Sequence, residues 1–450
     1  MGGAHETGRR NMLKIRPGFL MRWRLNLFFA FAAFFCTLGC AAAVSAEWVK
    51  EYDGPGNGRD YSTAIAVDGG GNVYVTGHSD GISTSLDSDY ATIKYSANGS
   101  REWVARYDGP ASDSDSPTGI AVDGDGNVYV TGRSSAVVSE FEGDYDFATV
   151  KYDTDGNQKW VTRYGTLEGI HDIPAGVAVD GLGNVYVAGG STDGTLCLDA
   201  TVIKYDADGN CIWIRRFDGG AYAIALDDSA NVYVTGTVTI KYDSDGNRKW
   251  VTRSSGMTSS IAVDDTGNVY VAGQIKRTSS GYDYLIVKYD ANGSRKWVKR
   301  YNGPANGSDF AHAIALDGAG NVYVTGVSEG TSSGEDYATV KYDANGNRKW
   351  VKRYNGPANG GDSASAIALD GKGNVYVTGW SDSDSSGKTY DCATINYDEN
   401  GNQKWVRRYE QASGSSMVVG GGGNLYVTGT TLTTTGLEHY LTIKYDAGGN

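Results

Sequence analysis

A two-part sequence pattern recurs about every 50 residues, and this repetition restricts the fold more than any other feature of the chain. The first part is typified by Ala313–Gly326, in which two apolar runs flank a Gly-Ala-Gly turn. The second is typified by Ala338–Tyr354, in which runs rich in Val, Tyr and Trp flank Asn345-Gly346. An Asn-Gly or Asp-Gly pair between such runs predicts a β-hairpin whose tight turn has positive φ. Each repeat therefore predicts two hairpins, or four strands.

The Asn-(Val/Leu)-Tyr-Val core of the first hairpin occurs eight times. The copies begin at Asn72, Asn127, Asn184, Asn231, Asn268, Asn321, Asn374 and Asn424. Four strands repeated with such a period predict an all-β fold, a β-propeller whose blades are four-stranded antiparallel sheets. The repeat around Asn231 is compressed, with almost no loop between its second and third strands. Eight blades are therefore predicted, and seven blades with one displaced unit is the alternative.

A tryptophan in the fourth strand marks each repeat. These residues are Trp48, Trp103, Trp160, Trp213, Trp250, Trp297, Trp350 and Trp405. The small residues of the first strand suit the propeller axis, and the Lys and Arg of the fourth suit an outer edge, where charges discourage edge-to-edge pairing. A fourth-type strand, Glu47–Tyr52, stands at the start of the repeats, and a third-type strand, Leu441–Asp446, stands at their end. We predict that the former completes the last blade and closes the ring.

The segment before the repeats reads as a secretory signal peptide. Basic residues precede the apolar run Leu25–Gly39, and small residues then lead to a cleavage site after Ala46. The predicted organisation is therefore a signal peptide over residues 1–46 and a propeller over residues 47–450, without a membrane span in the mature chain. The true start could be Met12 or Met21.

Export places the mature protein outside the cell, in the periplasm or on the cell surface. The sequence Thr37-Leu-Gly-Cys40 is similar to a lipobox, so a lipid on Cys40 is an alternative anchor. The net charge of −13 argues against a nucleic-acid partner and against an anionic membrane surface. We expect a monomer.

The alternation of Ala-Ile-Ala-Leu-Asp-Gly-x-Gly-Asn-Val-Tyr-Val-Thr-Gly with Ala-Thr-Val-Lys-Tyr-Asp-x-x-Gly-Asn-x-Lys-Trp resembles the bacterial SBBP β-propeller repeat family over residues 47–450. That resemblance implies an exported propeller with no established activity, and the family name implies seven blades. The run Tyr152–Trp160 is similar to the tryptophan-docking repeat of eight-bladed quinoprotein propellers, in which Trp stacks on the next blade. The adjacent cysteine pair of quinoprotein dehydrogenases is absent, so no cofactor is implied. The run Gly119–Val130 resembles NHL-type repeats, which are scaffolds for protein and ligand binding.

Antiparallel connections alternate between two faces of a propeller. The tight turns share one face, and the longer connections between second and third strands share the other with the inter-blade linkers. Those longer connections are predicted at 78–89, 133–146, 190–199, 274–283, 327–336, 380–391 and 430–439. Loops on a rigid scaffold commonly carry function, so this face is the predicted binding surface. Its candidate ligand-binding residues are Trp380, Asp382, Asp384, Asp80, Asp87 and Asp89.

No catalytic residue is predicted, because the chain contains no Gly-x-Ser-x-Gly, His-Glu-x-x-His or phosphate-loop motif. No metal site or other cofactor is predicted either. Asp153, Asp155 and their counterparts imitate the start of a calcium loop, but turn chemistry explains them and calcium is the weaker alternative. The sequence thus favours a binding scaffold for protein or carbohydrate. An exported hydrolase or lyase with an axial active site, or a fragment of a larger surface protein, are the alternatives.

Overall fold

Eight four-stranded antiparallel sheets make up the residues that the structure, a computed structural model, describes. These are residues 46–81, 88–111, 113–135, 145–165, 172–192, 198–384, 387–433 and 436–450. The strands are β1 Trp48–Tyr52, β2 Asp60–Val67, β3 Val73–Asp80, β4 Ser88–Tyr95, β5 Arg101–Tyr107, β6 Ser116–Val122, β7 Val128–Ser135, β8 Tyr145–Tyr152, β9 Gln158–Tyr164, β10 Ile173–Val179, β11 Val185–Thr192, β12 Leu198–Tyr205, β13 Cys211–Asp218, β14 Ala221–Leu226, β15 Val232–Gly236, β16 Thr239–Tyr242, β17 Arg248–Thr252, β18 Met257–Val263, β19 Val269–Arg277, β20 Gly281–Tyr289, β21 Arg295–Tyr301, β22 Asp309–Leu316, β23 Val322–Glu329, β24 Glu335–Tyr342, β25 Arg348–Tyr354, β26 Asp362–Leu369, β27 Val375–Asp382, β28 Tyr390–Tyr397, β29 Gln403–Tyr409, β30 Ala412–Val419, β31 Leu425–Leu432 and β32 Glu438–Tyr445.

The predicted eight-bladed propeller is confirmed. Strands β2–β5 form blade 1, and each following group of four forms the next blade, through β26–β29 in blade 7. The compressed fourth repeat supplies a complete blade, β14–β17, so the alternative of seven blades is wrong. The only described helix is a 3-10 turn at Gly421–Gly423, and none of the described segments is a helix long and apolar enough to cross a membrane.

The first strand of each blade lies innermost, because the first strands of successive blades contact one another around the whole ring. Small residues permit this crowding. A Cβ placed on Gly119 of β6 would lie 3.4 Å from the Cα of Gly176 in the neighbouring β10. The second strands are buried on both faces, as in the run Val322–Gly326, which is why their sequences are apolar throughout.

The ring is closed by the N-terminal strand. Strand β1 pairs antiparallel with β32 and completes blade 8, with Val49 opposite Ile443 and Trp48 opposite Lys444. Strand order in that sheet is β1-β32-β31-β30, so the fourth position of the last blade is filled from the other end of the propeller. This arrangement confirms the predicted closure.

The hairpin turns differ from the expected form in one respect. In the turn at Asp343–Asn347, positive φ falls on Gly346 alone, at 79°, and the register shifts between Lys341 and Tyr342. The N–H of Gly346 donates to the carbonyl of Asp343 at 2.8 Å. A turn closed by a left-handed glycine with a bulge needs only one residue of positive φ. The Asn before it is therefore not forced into that region.

Tryptophans join neighbouring blades. Trp160 of blade 2 lies between Tyr129 of its own blade and Tyr205 of blade 3, with ring centroids 6.1 and 6.4 Å away. Its indole N–H donates at 3.0 Å to the carbonyl of Ala207 in the turn of blade 3. The ammonium of Lys151 donates to the same carbonyl at 3.0 Å. The tryptophan thus docks on the next blade, as the similarity to quinoprotein propellers implies.

Candidate ligand-binding face

The face that carries the linkers and the connections between second and third strands is called the loop face, and the opposite one the turn face. On the loop face, the carboxylate of Asp60 accepts the backbone N–H of Gly54 at 2.8 Å, which fixes the linker into blade 1. Asp115 does the same for Gly109 at the entry to blade 2. Equivalent bonds join Gly303 to Asp309 and Gly356 to Asp362. Four of the linkers are therefore anchored to the first strand or entry of the blade that follows.

An arginine in the fourth strand ties the outer half of several blades together beneath the loop face. Arg106 donates to the Asp89 carboxylate at 2.7 Å, to the hydroxyl of Ser79 at 2.8 Å and to the carbonyl of Ser79. Arg163, Arg353 and Arg408 repeat this pattern in blades 2, 6 and 7. Charge-assisted bonds of this kind are among the stronger ones in proteins.

Four of the sequence-predicted ligand residues, Trp380 among them, lie on strands rather than in loops, because the β-ladders of the second and third strands extend into the segments predicted as loops. Asp80 ends β3 and accepts the N–H of Arg59 at 2.8 Å. Asp382 ends β27 and accepts the N–H of Gly361 at 2.7 Å. Both carboxylates are buried, and Asp89, also buried, holds Arg106. The expected loop positions of these residues are wrong, and their proposed contact with a ligand stays a prediction.

The remaining predicted residues fall into two groups. Asp87 and Cys40 lie outside the described residues. Asp384 is exposed and accepts the hydroxyl of Thr389 at 2.7 Å. Trp380 is also on strand β27, half-buried, with the ring of Tyr390 edge-on at 6.2 Å. Tyr390 itself is 45% exposed, so this aromatic pair reaches the surface.

The residue after the glycine of the second strand is the most informative feature of the loop face. The five residues before this position are nearly identical in all blades, for example Val375–Gly379. The position itself pairs with the first strand close to the axis. We call these cross-strand pairs the mouth pairs. They are Tyr61/His78, Ser116/Arg133, Ile173/Gly190, Met257/Gln274, Phe310/Val327, Ser363/Trp380 and Ser413/Thr430. A constant scaffold thus presents different chemistry in each blade around the axis.

The mouth pairs of blades 3, 5 and 6 are mainly apolar, and the β14–β15 ladder of blade 4 ends one position earlier, at Ala221 and Gly236. Ile173 is 42% and Met257 is 45% exposed, although both are large hydrophobic residues. In blade 4 the bulged residue Tyr222 is also exposed, and in blade 6 the ring of Phe310 lies 5.2 Å from that of Tyr282. These four apolar residues, Ile173, Tyr222, Met257 and Phe310, lie on first strands that contact one another in succession, and we call this set the apolar arc.

The mouth pairs of blades 1 and 2 carry aromatic and cationic side chains instead. The imidazole of His78 lies 4.7 Å from the ring of Tyr61, whose hydroxyl donates to the carboxylate of Glu438 in blade 8. In blade 2 the guanidinium of Arg133 lies 4.7 Å above the ring of Tyr145. Burial and the charges of nearby arginines lower the pKa of His78 to about 4, so the imidazole is neutral at physiological pH.

Three carboxylates approach one another at the boundary of blades 1 and 2. Oxygens of Asp89, Asp108 and Asp115 lie within 4.8 Å of one another. Asp89 already pairs with Arg106, and Asp115 accepts the N–H groups of Gly109 and Ser135. Burial raises the pKa of Asp115 to about 6. This group has carboxylate oxygens of the kind calcium prefers, although the sequence offered calcium only as the weaker alternative, and at the Asp153-type turns.

The acidic turns that imitate calcium loops are held by their own backbone. One oxygen of Asp153 accepts the N–H groups of Asp155 and Asn157 at 3.0 and 2.9 Å. On the turn face near the axis, the carboxylate of Asp317 similarly accepts two backbone N–H groups, the Asn321 amide and the Tyr323 hydroxyl. Grooves on this face lie between blades 5, 6 and 7. Two further aspartates that line these grooves, Asp264 and Asp370, accept backbone N–H groups of their turns in the same way.

Comparison with known proteins agrees with this architecture. Five stretches match the SBBP β-propeller repeat, at residues 47–82, 103–136, 159–195, 296–332 and 349–385. The Dos1 propeller is a similar solved structure, with a TM-score of 0.55 and 9% identity over 89% of this chain and 96% of that one. BamB from Moraxella catarrhalis covers 89% of this chain and 99% of its own, with 12% identity and a TM-score of 0.46.

Among curated proteins, the chain is similar to an uncharacterised WD repeat-containing protein of Acanthamoeba polyphaga mimivirus. The two are 25% identical over 200 residues, which is 33% of this chain and 14% of that protein's length. At these levels of identity the Dos1 similarity supports the fold alone. The repeat matches identify the unit from which the blades are built, although the count of eight departs from the seven that the family name implies. The chain is an eight-bladed β-propeller that contains SBBP β-propeller repeats.

Proposed function

We propose that this protein is an exported binding scaffold that holds a segment of another protein at the mouth of its loop face. The observation that carries the proposal is the set of mouth pairs, which differ from blade to blade on an otherwise constant repeat. Large apolar residues are exposed there, in particular Ile173 and Met257. Exposed aromatic, Met and Arg side chains are typical of protein interfaces, whose centres are poor in carboxylates.

The geometry of the loop face supports the same function. The linkers into blades 1, 2, 6 and 7 are held by Asp60, Asp115, Asp309 and Asp362, so a ligand that contacts them would meet backbone that is already anchored. Binding to an ordered surface avoids the entropy that ordering a loop would cost. Export rests on the signal peptide, and sequencing the N-terminus of the secreted protein tests it: cleavage after Ala46 is expected.

The apolar arc is tested by selecting peptides from a random library displayed on phage. Wild-type protein is expected to select a peptide family containing apolar residues. Changing Ile173→Ser and Met257→Ser together should weaken binding of those peptides about tenfold or more, because both side chains would lose buried apolar area. Leu182→Ser is the matched control, since Leu182 is 83% exposed in a turn of blade 3 on the opposite face. Equal binding by the double variant and this control would contradict the proposal.

Carbohydrate is a second candidate ligand, favoured by Trp380 and Tyr390. Their rings meet edge-on at 6.2 Å, and the exposed Asp384 is nearby in sequence. Exposed aromatic faces stack on sugar rings, and a carboxylate can accept sugar hydroxyls. On a glycan array, Tyr390→Ser should lower binding of a recognised glycan about three- to tenfold, whereas Leu432→Ser in blade 8 should not. A glycan bound equally by both variants would remove this candidate.

A further inference from the structure

Arg133 is half-buried, and its guanidinium is bonded differently from that of Arg163 in the same blade. It lies in the mouth pair of blade 2, opposite Ser116, with its guanidinium 4.7 Å above the ring of Tyr145. Among the described residues, no hydrogen bond or ion pair is made by this guanidinium. By contrast, Arg163 in the same blade donates to Asp146 and to the backbone. A planar guanidinium held over an aromatic ring remains able to donate two parallel hydrogen bonds.

His78 occupies the equivalent position in the adjacent blade. Its ring is stacked on Tyr61, and its buried Nδ1 has no hydrogen-bond partner in the described part of the chain. Buried polar atoms usually have partners, so such an atom at a surface mouth indicates a missing acceptor or donor. Tyr90, which lies opposite His78 in the β3–β4 ladder, donates its hydroxyl to the backbone carbonyl of Arg133. The two positions are therefore neighbours across the boundary of blades 1 and 2.

We propose that Arg133 and His78 form a subsite for the carboxylate of an Asp or Glu side chain on the bound protein segment. This rests on the proposed function. The guanidinium would bind the carboxylate through paired N–H donors, and the neutral imidazole would supply one more N–H. Tyr61 and Tyr145 would pack against the adjoining part of the segment, which would continue onto Ile173 in blade 3.

The charge balance favours a carboxylate over a phosphate. The second arginine in this region, Arg59, is 3.8 Å from the Asp80 carboxylate, and Glu438 accepts the Tyr61 hydroxyl on the blade 8 side. Among the described residues, Arg133 is thus one guanidinium without an ion pair, and it would match one negative charge. A phosphate monoester carries nearly two charges at neutral pH and would require a second free cation.

The test compares Arg133→Gln with Arg348→Gln, which removes the same charge from an exposed position at the start of the outer strand of blade 6. The random peptide library is selected on wild-type protein and on both variants. Wild type and Arg348→Gln should enrich Asp or Glu at one peptide position, and Arg133→Gln should not. Replacing that acidic residue by Asn or Gln should weaken binding to wild type about tenfold and leave binding to Arg133→Gln nearly unchanged.

The outcomes separate this subsite from the proposed function. Peptides that bind the mouth without an acidic preference, or an acidic preference that survives in Arg133→Gln, would overturn the subsite alone. Failure of wild-type protein to select any peptide would overturn the proposed function, and the subsite with it. The Arg133→Gln variant should have the Tm of the wild type, because the guanidinium of Arg133 makes no hydrogen bond or ion pair with the described residues. An unchanged Tm would show that a loss of binding does not result from unfolding.

Discussion

The docked tryptophans offer a quantitative test, because two of them differ in one interaction. Trp160 donates its indole N–H to Ala207 in the next blade at 3.0 Å. Trp405 is packed in the same way, between Tyr376 and Tyr445 at 5.9 and 5.8 Å, but its buried N–H has no acceptor among the described residues. Phenylalanine at either position would keep an aromatic ring between the tyrosines and remove only the N–H and part of the ring.

The two substitutions should therefore have different costs. Trp160→Phe loses a hydrogen bond, about 1 kcal/mol, and the burial of part of the indole, roughly another 1 kcal/mol. Trp405→Phe loses the same apolar area but also removes a buried donor without a partner, whose desolvation costs about 1–3 kcal/mol. The free energy of unfolding should fall by about 2 kcal/mol for Trp160→Phe, whereas for Trp405→Phe it should stay unchanged or rise by up to about 2 kcal/mol.

Urea unfolding followed by far-ultraviolet circular dichroism measures this difference, with scanning calorimetry as the second assay. A chain of this size has a large unfolding entropy, so ~2 kcal/mol corresponds to only ~2–3 °C in Tm. The comparison requires that both variants unfold with the wild-type urea dependence. If Trp405→Phe destabilises the protein as much as Trp160→Phe, the assignment of the missing acceptor is wrong.

Two further predictions concern the turns and the linkers. Gly293→Ala should lower the free energy of unfolding by more than ~2 kcal/mol, because φ is +80° and a Cβ would lie 2.7 Å from Cδ2 of Trp250. The control is Gly318→Ala, where nothing lies within 4 Å of the added atom, and it should leave the free energy of unfolding nearly unchanged. The pKa of Asp115 is raised by burial from 3.8 to about 6. Its folded form thus holds the proton more tightly than the unfolded chain, and stability is lost as pH rises from about 4 to about 6, by up to ~3 kcal/mol. The difference in unfolding free energy between wild type and Asp115→Asn, measured in chelator, should shrink over that pH range, and a constant difference would contradict the shift.

The architecture could be predicted because it is repeated. Each blade uses the same alternation of buried second strand and charged outer strand, so a pattern that is ambiguous once becomes clear over eight copies. The closure was predictable for the same reason, since the segment at Trp48 reads as an outer strand. The compressed fourth repeat was also correctly identified, because all four of its strand signatures, including Trp250, are retained.

The roles of the aspartates on the loop face were less predictable, because they depend on which backbone N–H group donates a hydrogen bond to each carboxylate. Asp80 and Asp382 appear free in sequence, yet each accepts an N–H from a linker about 20 residues earlier. That contact depends on how a blade joins the next, which strand patterns do not encode. The mouth pairs could have been identified from the sequence. The residue after the second-strand glycine varies, for example His78, Arg133 and Trp380, whereas the five residues before it are nearly constant.

Closure of the ring is the claim on which the axis, the mouth and both faces depend. Val49 and Ile443 are directly opposite in the strand pair that joins the two ends of the propeller. Opposed strand residues lie within the Cα separation that a disulfide spans. Cysteines introduced together at 49 and 443 should therefore form an intramolecular disulfide in folded protein, detected by mass spectrometry of a linked pair of tryptic peptides. The bond should also raise Tm, since it closes a very long loop. Two free thiols in folded protein under oxidising conditions would contradict the closed ring.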